Sequence, residues 1–243
     1  MVRRDASTQG QCRGAAFSLI ELLVVIAVVA LLASLMMPAL GRAQSMGRSS
    51  ACLSNLRQMG VAWHLYLADH GDRFPDRRDL KRDLMGGYQP WSTWPKSDPR
   101  AGWSAVVLGS LLASKPVWQC PGVMSGPIAR LDQVRQWGGT DTNRSTEVTY
   151  WMWRFDRMDD PVPVDNFWGR TVDESLAGWW LSGNPLAVPG GGLSEVELVV
   201  DPYFPATIPA IPEAVRGRAA HPGFRNRLLM DGHADRLRDR RLR

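Results

Sequence analysis

Hydrophobic and polar positions change their rhythm twice along this chain. From Phe17 to Leu40 the residues read FSLIELLVVIAVVALLASLMMPAL, with no charge and a single hydroxyl between Leu22 and Met37. A helix that crosses lipid needs about 20 mostly apolar residues at about 1.5 Å each, and this stretch supplies them with Glu21 near one end. The run exceeds the roughly 7–15 apolar residues of a cleaved secretory signal, and the PALGRAQSMGRSS behind it lacks a convincing small-x-small site before a mature start. After Pro38, the apolar residues Leu40, Ala43, Met46, Leu53, Leu56, Met59, Trp63 and Leu67 recur mostly at three- and four-residue steps. That spacing predicts an amphipathic helix, resuming after a proline bend and stopping at His70-Gly71. From Phe17 to Asp69 the two segments predict a spine about 80 Å long.

Beyond Asp72 the periodicity shortens and is punctuated by Pro and Gly, which predicts strands and loops in segments such as Ser104–Leu112, Val148–Phe155, Glu195–Val200 and Arg227–Arg236. Asp231-Gly232, between apolar runs, predicts a two-residue hairpin turn. The expected fold class is therefore α+β, a long N-terminal α-helix packed on an antiparallel β-sheet head with long loops.

Composition narrows the function classes. With 44% apolar and 22% charged residues, the 243-residue chain has enough apolar material for a packed core and is not a disordered segment. The net charge of +5 falls to +3, 26 basic against 23 acidic residues, once Arg3, Arg4, Arg13 and Asp5 are set aside. No Lys/Arg cluster lies on a recognisable reading element, and the basic tail Arg236–Arg243 also carries Asp239, so no nucleic-acid partner is expected. The 11 tryptophans fall partly into groups, Trp91, Trp94 and Trp103, then Trp151 and Trp153, then Trp179 and Trp180. Such groups either fill a core or form exposed platforms for glycan or protein; Trp151 and Trp153 would share one strand face.

Glu21 carries the strongest chemical hint. A carboxylate within a membrane helix costs on the order of a few kcal/mol and calls for a partner. Cleavage just before Phe17 would create an α-amino group four residues away, about 6 Å along a helix; without it, Glu21 would sit at the interface and reach toward water.

The stretch Gly14-Ala-Ala-Phe17-Ser-Leu-Ile-Glu21-Leu-Leu-Val-Val-Ile resembles the type IV prepilin processing motif, in which a short basic leader ends in a small residue before Phe, with Glu five positions into the mature chain. The resemblance implies cleavage between Ala16 and Phe17 by a prepilin peptidase, and methylation of the new Phe17 amine. Ala16 stands where the family usually has Gly; small size is kept, whereas cleavage after Gly14 would spoil the Phe-to-Glu spacing. Orientation also comes from the resemblance, because Arg3, Arg4 and Arg13 before the span are balanced by Arg42, Arg48 and Arg57 behind it. It implies a single pass through the inner membrane, with the N-terminus cytoplasmic and the head periplasmic.

Nine residues separate His221 from Asp231-Gly232, a spacing that resembles the C-terminal signature of a prepilin-processing-associated family. Ala51-Cys-Leu-Ser-Asn-Leu-Arg-Gln-Met and Trp118-Gln-Cys120-Pro resemble further segments of it. The implied organisation is a basic leader (1–16), a transmembrane and assembly helix (17–40), an amphipathic helix (41–70) and an extracytoplasmic head (71–243) of pilin-like fold. Removing the leader takes Cys12 away and leaves Cys52 and Cys120, which either pair as a disulfide in an oxidising compartment or stay as two buried thiols.

The resemblance implies a pseudopilin or minor-pilin-like subunit of a type II secretion-like pseudopilus. Phe17, Glu21 and Pro38 would serve assembly, and other pilin subunits would be the partners. The alternative is a membrane-tethered module that binds glycan or a secreted protein through its Trp-rich head and does not polymerise. No nucleophile elbow, Gly-rich phosphate loop or HExxH occurs, so neither enzymatic activity nor a cofactor is expected. Asp231, His233 and Asp235 would share a strand face and are the candidate ligands for a metal, zinc or calcium, though none is expected.

Overall fold

A computed structural model of the chain describes residues 18–138 and 146–243. The expected leader, 1–16, and with it the cleavage residues Ala16 and Phe17, lie outside the described residues. Contacts divide the chain into two compact units, one ending at Gln44 and the other running from Ser45 to Arg243.

Helix α1 spans Leu19–Asp69. Its helical assignment runs unbroken through Pro38, where the sequence predicts a bend and a restart. In the first unit every side chain from Leu19 to Leu40 is exposed, and its most apolar stretch reaches a mean hydropathy of 2.9 with none of it buried. This helix is long and apolar enough to cross a membrane.

The second unit is the head, and the latter part of α1 is its first element. Ser49, Cys52, Leu56, Met59, Ala62, Trp63 and Leu67 form the buried face. The apolar stripe therefore starts later than the sequence predicts: Leu40 and Met46 are exposed, and Leu53 is half-buried. The helix stops as expected, with Gly71 at φ 63° and the Asp72 N–H returning to the Leu67 carbonyl at 2.8 Å.

Two small antiparallel sheets follow, β1 (Gln136–Gly138) with β2 (Thr146–Val148), and β3 (Glu197–Val200), β4 (Phe224–Leu229) and β5 (Ala234–Arg238) in the order β3-β4-β5. Short helices fill the remainder: α2 (Arg78–Asp83), α3 (Gly102–Val107), α4 (Pro121–Met124) and α5 (Val172–Leu181). Two of the expected strands are corrected. Ser104–Leu112 begins inside α3, where the Ser104 hydroxyl donates to the Ala101 carbonyl at 2.6 Å and supports the first turn. Val148–Phe155 leaves the sheet after Val148, makes an isolated bridge from Trp151 to Val200, and closes into a 3₁₀ turn at Trp153–Phe155. Helix α5 lies in a stretch whose periodicity predicts no element, although its start is written locally. Thr171 Oγ1 accepts the Glu174 N–H at 3.2 Å, and Glu174 Oε2 accepts the Thr171 N–H at 2.8 Å, a reciprocal capping box.

The core is aromatic. Trp63 from α1 stacks on Phe155 with ring centroids 5.8 Å apart, meets Phe74 edge-on at 5.7 Å, and lies 6.1 Å from Trp103, which in turn contacts Trp168 at 4.6 Å. Large rings in offset and edge-on arrangements bury much apolar area at low conformational cost. Of the grouped tryptophans, Trp103, Trp151 and Trp179 are buried, whereas Trp91, Trp94, Trp153 and Trp180 keep part of their surface.

Lys81 is fully buried and donates to the Arg100 carbonyl at 3.0 Å, close to the buried Arg100–Asp98 ion pair of 2.8 Å. Burial pulls its ammonium down to about 8, against the favourable charges of Asp98 and Asp156. Between that value and the ordinary 10.5 the unfolded chain holds this proton more tightly than the folded one, so Lys81 makes stability rise with pH across the window. Lys81→Met is expected to remove that rise, as read from denaturant midpoints at a series of pH values spanning it.

Candidate functional site

The C-terminal hairpin comes to lie on the head portion of α1; of the sequence-derived residues, Cys52, Cys120 and His221 meet there, whereas Asp231-Gly232 lies farther along the helix, beside Gly60 and His64. Cys52 on α1 and Cys120, the residue before α4, form a disulfide with Cα atoms 5.1 Å apart and a sequence separation of 68. The pairing is well within the reach of ordinary disulfide geometry. His221 sits beside it, its Nε2 3.5 Å from Cys120 Sγ and 3.3 Å from Asp201 Oδ2, with all four residues buried.

Each member is positioned by a nearby constraint. His221 bridges to Phe224 and stacks on its ring at 5.4 Å, nearly parallel. Gly122, in α4, leaves room for the imidazole: a Cβ there would come within 2.9 Å of His221 Nδ1 and 2.6 Å of the Ala220 carbonyl. Asp201 follows β3 directly, where Asp201 Oδ2 accepts the Asn226 N–H at 3.1 Å and the Asp201 N–H donates to the Asn226 carbonyl at 3.0 Å. Asp201 Oδ1 is buried with no hydrogen-bond partner among the described residues. Tyr150 lies close by; burial first, and the Asp201 charge second, push its phenol well above the ordinary value.

Asn226, within the nine-residue interval, fastens the hairpin to the helix. Its side-chain carbonyl accepts the Ser49 hydroxyl at 3.3 Å, and its amide donates to the Ser49 backbone carbonyl at 3.3 Å. Asp201 and Asn226 were not singled out in sequence. The only local sign is a pair of polar residues beside the apolar runs Val199-Val200 and Leu228-Leu229, and burial alone gives them meaning.

Asp231-Gly232 does form a hairpin, with one residue more in its loop than the sequence predicts. The loop is Met230-Asp231-Gly232, closed by Gly232 N–H to the Leu229 carbonyl at 3.0 Å and Leu229 N–H to the His233 carbonyl at 2.8 Å. Gly232 has φ 85°, while Asp231 stays outside the left-handed region that a two-residue type I′ turn requires. The Asp231 carboxylate instead accepts the His233 N–H at 2.9 Å. Of the other candidate ligands, His233 is exposed, and Asp235 is bound twice by Arg227 at 2.7 and 3.0 Å. That guanidinium holds the Asp235 carboxyl below its ordinary value. Both carboxylates of that candidate set are therefore engaged locally, and the described residues place a ligand cluster instead at Cys52, Cys120, Asp201 and His221.

Near the other end of the chain, Glu21 is exposed and its carboxylate accepts the Ser18 N–H at 2.8 Å, capping the first turn of α1. A separate open cavity of about 630 Å³ in the head is lined by Trp94, Trp153, Tyr203, Arg154, Asp156 and Arg241, among others. Trp94 Nε1 donates to the Tyr203 carbonyl at 3.2 Å, and Asp156 accepts from Ser97. Burial raises the Asp156 carboxyl above its ordinary value against the pull of Ser97 and Arg154.

These features define a class: an α+β protein whose first helix is long and apolar enough to cross a membrane and whose head holds the latter part of that helix by a disulfide and a buried polar cluster. Comparison with known protein families, curated proteins and solved structures finds no match.

Gly232 is doubly constrained, by its positive φ and by the His64 ring, whose Cδ2 would lie 2.9 Å from an added Cβ. Gly232→Ala is expected to destabilise the head by about 1–3 kcal/mol. Chemical denaturation of the full chain in detergent micelles, with the variant beside the parent, measures it.

Proposed function

We propose that this chain is a non-enzymatic pseudopilin or minor-pilin-like subunit, cut between Ala16 and Phe17 and assembled through α1 into a short, type II secretion-like filament. The observation that carries the reading is the single carboxylate, Glu21, at the start of an exposed apolar helix and four residues after the cleavage-motif Phe17. In hydrocarbon that carboxylate needs a cation, and the amine released at Phe17 of the same or an adjacent subunit supplies one. Buried polar pairs of this kind can fix register, so Glu21 would set the stagger between neighbouring helices while their apolar faces pack. On this reading α1 serves both membrane and filament, and the Cys52–Cys120 disulfide ties its latter part to the rest of the head.

Intact mass and N-terminal sequencing of the protein from native membranes test the processing step. A chain that starts at methylated Phe17 is the expected outcome, and one that retains Met1 or Arg13 refutes it. Glu21→Ala is expected to abolish co-sedimentation with pilin-like partners while the head keeps its denaturation midpoint; normal incorporation of that variant would count against the assembly role.

The cavity bordered by Trp94, Trp153 and Tyr203 favours a second reading, a tethered module that binds glycan. Its volume lies in the range of small-molecule sites. The half-buried Trp94 and Trp153 would offer ring faces to sugar C–H groups, and the Arg and Asp side chains around them would offer hydroxyl partners. A saturable change in Trp fluorescence on titration with oligosaccharides, lost in Trp94→Ala, is the outcome this reading expects.

A further inference from the structure

We propose that Cys52, Cys120, His221 and Asp201 form a four-ligand zinc site when the two cysteines are reduced, so that disulfide and metal are alternative locks on the same joint. The ligand atoms, two Sγ, the imidazole Nε2 and a carboxylate oxygen, all lie within 4.8 Å of one another, and all four side chains are buried. Zinc bonds of about 2.3 Å to sulfur and about 2.0–2.1 Å to nitrogen or oxygen imply tetrahedral edges of about 3.5 Å between N and S and about 3.3 Å between N and O. The observed separations are 3.5 Å from His221 Nε2 to Cys120 Sγ and 3.3 Å from His221 Nε2 to Asp201 Oδ2.

A second observation points the same way. Asp201 Oδ1 is buried without a hydrogen-bond partner among the described residues, whereas buried carboxylate oxygens are normally satisfied. The oxygen nearer His221 is Oδ2, which already accepts the Asn226 N–H; a cation held by this carboxylate would neutralise the charge that both oxygens share. Two thiolates with an imidazole and a carboxylate suit zinc rather than calcium or magnesium, which prefer all-oxygen shells. The site is also supported from behind: Asn226 donates its backbone N–H to the carboxylate, and Gly122 and Phe224 hold the imidazole plane.

The exchange balances. A dithiol donor reduces the S–S bond with two electrons and becomes a disulfide itself; the two thiols formed at Cys52 and Cys120 then lose two protons as zinc binds. Oxidation by a disulfide acceptor removes two electrons, re-forms the S–S bond and ejects the metal. Access to the folded site is restricted: His221 borders a cavity of about 290 Å³ whose lining includes Arg48, Arg218 and Arg243, charges that oppose an entering cation. Zinc is therefore expected to load while the head folds, holding the helix and the Cys120 loop together in a chain not yet oxidised.

The test uses the full chain in detergent micelles, unfolded in denaturant with a phosphine reductant and refolded without oxygen, with and without zinc sulfate. After desalting, the metal content is measured by elemental analysis, and a parallel sample is loaded with Co(II). The reduced chain is expected to retain one zinc per molecule and to show tetrahedral Co(II) bands with sulfur-to-metal charge transfer. The oxidised chain, the Cys52→Ser/Cys120→Ser double variant and His221→Ala are expected to retain none, and Asp201→Asn less than the parent. If the reduced chain refolds only when zinc is present, the proposal is also supported. Three results overturn it: no more zinc in the reduced chain than in the double variant, equal zinc in the oxidised chain, or failure of the reduced chain to refold even with zinc.

Discussion

Close approach of the C-terminal hairpin to the head portion of α1 is the constraint on which the rest of the structure depends. Backbone and small side chains make that approach: Gly60 faces Leu228 and Gly232, where an added Cβ would come within 2.9 Å of the leucine and 3.3 Å of the glycine carbonyl. Asn226 completes it by bonding both the hydroxyl and the backbone carbonyl of Ser49. Once the hairpin is seated, β3 pairs with β4, Asp201 is carried under α1, and His221 is brought against the Cys52–Cys120 disulfide. A long interval of chain is thereby closed against one helical face.

Polar groups at this joint are specific because they are expensive to mispair. Ser49, Asp201, His221 and Asn226 are all buried, and a buried polar atom without a partner costs roughly 1–3 kcal/mol. A shifted helix or a slipped hairpin would leave several unsatisfied at once. The aromatic cluster above them contributes differently. Trp63, Trp103, Phe155 and Trp168 supply bulk burial and tolerate small readjustments, whereas the Ser49–Asn226 bonds fix which residues of the helix face the hairpin.

Legibility in the sequence followed the range of the forces involved. The end of α1 at Gly71 and the hairpin at Gly232 could be read because a glycine's conformational freedom and the adjoining apolar runs act within a few residues. The start of Ser104–Leu112 is not legible because a short apolar run fits strand and helix alike, and burial of Trp103 and Ser104 beside β1 decides for helix. The tryptophan groups showed the same limit: Trp151 and Trp153 would share a face in a strand, but the chain turns into a 3₁₀ segment and only Trp153 reaches the open cavity.

The sequence by itself determined the long apolar helix, its amphipathic continuation, the hairpin and the small set of residues able to carry chemistry. Those follow from hydrophobic periodicity and turn stereochemistry, which neighbours along the chain impose. Tertiary structure alone decided that Asp201 and Asn226 belong with His221, that the two cysteines meet, and which tryptophans are core. Such choices depend on contacts between segments far apart in the chain, where packing and the need to satisfy buried polar groups act on the whole head at once.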